Sequence, residues 1–130
     1  MHSVIYVSKV ADQFDERQLE DLVDQAAAIN AKNGLTGMLV YNGKNFMQLL
    51  EGKQRRVEQT LERIARDERH SDLVVIRQLD DRPRECPDWS MRSFTVPLTV
   101  PGSADVVAQS LPEGFEMDSR AIFTSFASMA

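Results

Sequence analysis

The chain has one cysteine, Cys86, so it can form no internal disulfide and holds no CxxC zinc or redox site. Its two histidines, His2 and His70, are too few to build a metal cluster around that thiol. No apolar run approaches the roughly 20 residues of a membrane-spanning helix. The phosphate-cradling and nucleophile motifs GxGxxG, GxxxxGKS/T and GxSxG are all missing. There is no internal repeat and no low-complexity stretch. Basic charge is short: Lys+Arg is 15 against 20 Asp+Glu, a net charge of -5. Such a surface repels phosphate backbones, which argues against nucleic-acid binding as the main task. Met1-His2-Ser3 leads straight into an apolar run, without the basic region of a signal peptide. The expectation is a cytoplasmic protein that meets neither membrane nor nucleic acid directly.

What is present is an ordinary globular balance, 42% hydrophobic and 27% charged in 130 residues. That length suits one domain with a real core and leaves no room for a separate effector enzyme. Val4-Ile5-Tyr6-Val7 reads as a strand. Leu19, Leu22, Val23, Ala26 and Asn30 then recur at three and four, which predicts a helix over about residues 16–32. Asp15 or Asp12 would cap its start, and Asn33-Gly34 would end it. Two apolar runs flank Asn42-Gly43, a hairpin signal, and a two-residue turn would place Tyr41 opposite Lys44, Leu39 opposite Phe46 and Gly37 opposite Gln48. Val57, Leu61 and Ile64 mark a second helix ending near Glu68. Leu73–Leu79 and Trp89–Val96 read as two more strands.

The order β-α-β-β-α-β plus one strand predicts an α+β, ferredoxin-like sheet with both helices on one face. Its strands are apolar on both sides, so the free face needs a cover. Two helical stretches of the tail, Ala104–Leu111 and Asp118–Met129 with Ile122, Phe123 and Phe126 on one side, would supply it. The expected organisation is a domain over residues 1–98 and a helical extension over 99–130.

Gln48 is the unusual residue, an amide in mid-strand between apolar neighbours. Its donors and acceptors need partners, and Gly37 opposite would leave a space beside it. Either a polar neighbour satisfies the amide and Gly37 marks a bend, or the space takes a ligand. Tyr6, on the adjoining strand, stands within reach. Asn30 and Arg69-His70 would rise at the same end of the two helices and offer an amide, a guanidinium and an imidazole to a polar ligand. Trp89 and Met91 would share one strand face by parity.

Together, Tyr6, Asn30-x-x-x-Gly34-Leu35-Thr36-Gly37, Phe46-Met47-Gln48-Leu49-Leu50-Glu51-Gly52, Asp67-x-Arg69-His70 and Trp89-x-Met91 resemble the BLUF domain, the blue-light sensors using flavin. The resemblance runs over about residues 3–95. It implies a non-enzymatic photoreceptor holding FAD, or FMN or riboflavin, between the two helices. By position, Asn30, Gln48, Arg69 and His70 would bind the flavin. Tyr6 and Gln48 would carry the photochemistry, with Trp89 and Met91 responding on the last strand. It further implies output to a downstream regulatory protein or through a change in a homo-oligomer. Two other classes stand beside it. One is a flavin-free interaction domain. The other is an acylphosphatase-like enzyme, although Val10–Asp15 offers neither the glycine nor the arginine of a phosphate loop.

Overall fold

A computed structural model of the chain describes residues 1–86, 89–95, 111 and 117–128. Its elements are β1 (His2–Val10), α1 (Glu16–Asn33), β2 (Thr36–Tyr41), β3 (Asn45–Gly52), α2 (Gln54–Ala65), β4 (His70–Leu79), β5 (Arg92–Thr95) and α3 (Met117–Ser128). The sheet order is β4-β1-β3-β2-β5. Each neighbouring pair among the first four strands is antiparallel, which is the ferredoxin-like arrangement, and β5 adds to the edge parallel to β2. The expected tail helix over 104–111 and the side chain of Phe126 lie outside the described residues.

Strand alternation divides the interior in two. Val4, Tyr6, Leu39, Phe46 and Leu50 face α1 and α2, meeting Leu19 from the first helix and Val57 from the second. Ile5, Met38, Val40, Met47 and Leu49 face the other way and pack with Cys86, Leu111 and Phe123 of α3. Arg77 on β4 reaches Asp118 (3.0 Å) and Glu85 (3.2 Å), and Ser119 of α3 donates to Glu85 (2.9 Å). Ionic and apolar contacts therefore both hold α3 on this face.

Local chemistry explains the boundaries. Asp15 caps α1 by accepting from the Gln18 amide (2.8 Å), while the Gln18 side chain accepts from the Asp15 amide (2.9 Å). Such a reciprocal cap contributes about 1 kcal/mol. Gly34 ends the helix in the left-handed region, φ 69°, where a side chain is disfavoured. The second helix stops at Ala65, short of Glu68, because the Arg66 and Asp67 amides turn back to Arg63 and Ile64.

The hairpin departs from the expected register. Tyr41 pairs with Phe46, Leu39 with Gln48 and Gly37 with Leu50. The cause is Asn42. Its buried Oδ1 accepts from the amides of Lys44 (3.1 Å) and Asn45 (2.8 Å), which makes a four-residue loop of Asn42–Asn45. The shift is two residues, so every side chain keeps its face. Gly37 thus leaves no space opposite Gln48; that position is filled by buried Leu39. The glycine is required elsewhere, since a Cβ there would stand 2.0 Å from the Leu49 carbonyl oxygen.

The last strand also starts later than expected. It begins at Arg92, so Trp89 and Met91 precede it in irregular backbone and parity does not govern them. Trp89 packs on the α3 side of the sheet and Met91 on the α1/α2 side, and the two do not share a face.

Candidate functional site

A cavity of about 290 Å³ opens between α1, α2 and the sheet. Leu22, Ala26, Ile29, Leu39, Phe46 and Ile64 give it apolar walls, and Tyr6, Asn30, Gln48, Asp67, Arg69 and His70 bring polar groups to it. Four of the expected binding residues, Asn30, Gln48, Arg69 and His70, therefore line one space with Tyr6. Met91 reaches it through a contact, and Trp89 stands across the sheet.

Tyr6 and Gln48 are direct cross-strand partners on β1 and β3. The phenol donates to Gln48 Oε1 through a short hydrogen bond, and Gln48 Nε2 donates to Met91 Sδ (3.8 Å). Both side chains are buried, Tyr6 at 2% exposure and Gln48 at 4%. Burial pushes the Tyr6 phenol well above its ordinary range, and the nearby Asp67 charge adds to the effect. The group is a neutral phenol with one acceptor in reach.

Asn30 sits at the end of α1 on its buried stripe and donates from Nδ2 to the Ser90 carbonyl (2.7 Å). Arg69 makes a two-pronged pair with Asp67, Nε to Oδ1 (3.0 Å) and Nη2 to Oδ2 (2.5 Å). These bonds hold the Asp67 carboxyl below the usual carboxylate range and raise Arg69 above its own. Sequence reasoning missed Asp67, Thr60 and Arg63 as lining residues. Arg63 has a signal in hindsight, a basic residue in the last turn of α2, four positions before Asp67.

His70 is committed within the protein. Its Nε2 lies 2.7 Å from the Ile64 carbonyl, which only accepts, so Nε2 carries the proton. Nδ1 then accepts from the Ser8 hydroxyl (2.7 Å). The ring lies against Tyr6 and Phe46. Burial lowers the His70 pKa below 6.5, outweighing the Ile64 bond and the Asp67 charge; the Arg69 charge lowers it further. The sign follows from proton counting. The unfolded chain takes up this proton near 6.5 and the folded one only at lower pH. The His70 contribution is complete above 6.5 and declines as pH falls toward the folded value. Urea midpoints should drop between pH 7 and pH 5, and His70→Gln should flatten that slope. An equal slope in both proteins would contradict the assignment.

Among the described residues no cluster of histidine, cysteine and carboxylates could hold a metal, and no helix is long and apolar enough to cross a membrane.

The chain is 35% identical over 74 residues to the blue light- and temperature-regulated antirepressor BluF of Escherichia coli, a match covering 57% of this chain and 18% of that protein. It superimposes on Klebsiella pneumoniae BlrP1 in a manganese/cyclic-diGMP complex with a TM-score of 0.82 and 26% identity, over 98% of this chain and 32% of that one. The dark-state structure of BlrB, a BLUF protein, matches with a TM-score of 0.74 and 25% identity, over 98% of this chain and 95% of BlrB. The family model for sensors of blue-light using FAD spans residues 1–92, and on that match the chain belongs to the BLUF family.

Proposed function

We propose that this chain senses blue light through one hydrogen-bonded unit, Tyr6–Gln48–Met91, with FAD held in the cavity beside it. The donor set suits a flavin. Apolar walls from both helices fit a planar ring, and the amides of Asn30 and Gln48 with the Arg69 guanidinium fit its polar edge. A cavity of about 290 Å³ is sized for a ring system, so the rest of FAD would extend beyond it. His70 contributes packing and position, since both its nitrogens are engaged.

When bound, the flavin supplies absorption of blue light and a transient pull on one electron of a nearby donor. Tyr6 is the donor the fold offers. As it loses the electron, its phenolic proton moves along the existing bond to Gln48 Oε1. When electron and proton return, Tyr6 is a phenol again, while the Gln48 amide keeps a changed pattern of bonds. Its Nε2 no longer faces Met91 Sδ, and the segment carrying Met91 receives the change. The helix over 117–128, in the extension after about residue 98, carries the output to a regulatory partner or to another copy of the chain, in the cytoplasm.

The observation that carries this reading is the buried Tyr6–Gln48–Met91 chain at the cavity wall. The test is direct. Purified protein should be yellow, release a flavin on heating, and show a reversible red shift in a light-minus-dark spectrum. A colourless preparation that takes up no added FAD would end the reading.

A further inference from the structure

Glu51 is completely buried on β3, three residues after Gln48. No part of the reading above uses it. Its two oxygens take three donors: Oε1 accepts from the Thr36 hydroxyl (2.9 Å) and the Cys86 amide (2.7 Å), and Oε2 from the Glu85 amide (2.8 Å). Two of these are backbone groups of the segment that leads to Met91. Neighbouring bonds continue the hold. The Trp89 amide donates to the Cys86 carbonyl (3.1 Å), and the Gly37 amide donates to the Trp89 carbonyl (2.9 Å). Asn30 then holds the Ser90 carbonyl (2.7 Å), and Met91 Sδ meets Gln48. Arg84 adds bonds to Thr36 (2.8 Å) and to the Gly34 carbonyl (2.7 Å).

We infer that Glu51 is a positioning residue for the light switch. Its carboxyl grips the Glu85 and Cys86 amides and so sets Met91 against the Gln48 amide. The inference rests on the reading of Gln48 as the switch. β3 holds both ends of one connection, Glu51 at its start and Gln48 at its finish. A buried carboxyl with three donors is a costly element to keep, and removing one acceptor strands a buried N–H. What it fixes here is backbone, and that backbone delivers the thioether that Gln48 touches in the dark. When the grip loosens, the dark pattern of Gln48 loses its partner, and return from the light state slows.

Glu51→Gln is the test, because it keeps the shape and replaces one acceptor oxygen with an NH2 that cannot accept from the Glu85 amide. At matched flavin occupancy the red shift should still form. Its dark lifetime should lengthen by about fivefold, the rate equivalent of one net hydrogen bond. Exchange of the Glu85 and Cys86 amides, followed residue by residue in the dark, should speed up by about tenfold. Thr36→Val removes one donor and leaves both amides gripped, so its lifetime should lengthen less than that of Glu51→Gln. Coupling is reciprocal, so steady illumination of the wild type should also speed exchange at these two amides. That measurement decides the matter alone if Glu51→Gln does not fold.

Faster exchange with an unchanged or shortened lifetime would make Glu51 a structural residue only and overturn the inference. So would unchanged exchange in Glu51→Gln, or amides in the wild type that do not respond to light. A wild type that binds flavin but shows no red shift would instead overturn the reading of Gln48 itself.

Discussion

Gln48→Leu should give a folded, yellow protein that shows no reversible red shift under blue light. The wild-type amide accepts from the Tyr6 phenol and donates to Met91 Sδ, which is the position that the proposed proton relay requires. Leucine approximates its volume and removes both functions. The Tyr6 hydroxyl would then lack its acceptor in a buried site, a cost of about 1–3 kcal/mol. Burial of the added apolar surface offsets part of that cost. A modest drop in the urea midpoint and a complete loss of the red shift are the expected pair of results. The check is a light-minus-dark spectrum at the flavin occupancy of the wild type. Trp89→Phe is the control, since Trp89 packs against the apolar cluster on the opposite side of the sheet. It should keep the shift. A full-size reversible shift in Gln48→Leu would remove that residue as the switch, whatever flavin the protein binds.

The pairing of Tyr6 with Gln48 was legible because strand parity is robust. The two-residue shift moves every partner along the hairpin and leaves every face intact, so Gln48 still lies beside Tyr6 on the face towards the helices. The inference of a gap opposite Gln48 failed because the turn depended on a side chain. Asn42 uses its own amide oxygen to close a longer loop, and an Asn-Gly pair reads the same whichever loop forms. Trp89 and Met91 were misplaced for a related reason. Alternation sorts side chains only inside a strand, and backbone pairing begins at Arg92.

What stayed hidden was the set of distant partners. Asn30 meets Ser90 across 60 positions, and His70 meets Ser8 across 62. A carboxylate beside Gly52 at a strand end is ordinary in sequence, so Glu51 gives no sign there of the partners it finds. Its three donors come from two other segments that only the folded sheet brings near. Three of the polar residues that interrupt buried strands, Ser8, Gln48 and Glu51, mark such positions. Each is buried, and each has a partner made by the topology.

Tyr6→Phe should abolish the same event by a different route. The substitution keeps the ring and its packing against Val4, Leu35 and Leu50 and removes one hydroxyl. Gln48 Oε1 loses its donor, and the destabilisation should again be about 1–3 kcal/mol. The photochemical loss should be complete, because two properties vanish together. A phenylalanine ring is far harder to oxidise than a phenol, and it has no proton to pass to Oε1. Burial and the Asp67 charge already hold the wild-type phenol in its neutral form. Loss of the proton therefore accompanies or follows loss of the electron, and does not precede it. Two consequences separate this from a purely structural role. The red shift of the wild type should not change across the neutral range through Tyr6, since phenolate is inaccessible there. In Tyr6→Phe, the excited flavin should fluoresce longer, because the donor proposed for it is gone. Time-resolved emission measures that directly, at flavin occupancy matched to the wild type. An unchanged emission lifetime together with a retained red shift would place the electron donor elsewhere and leave Tyr6 as packing for Gln48.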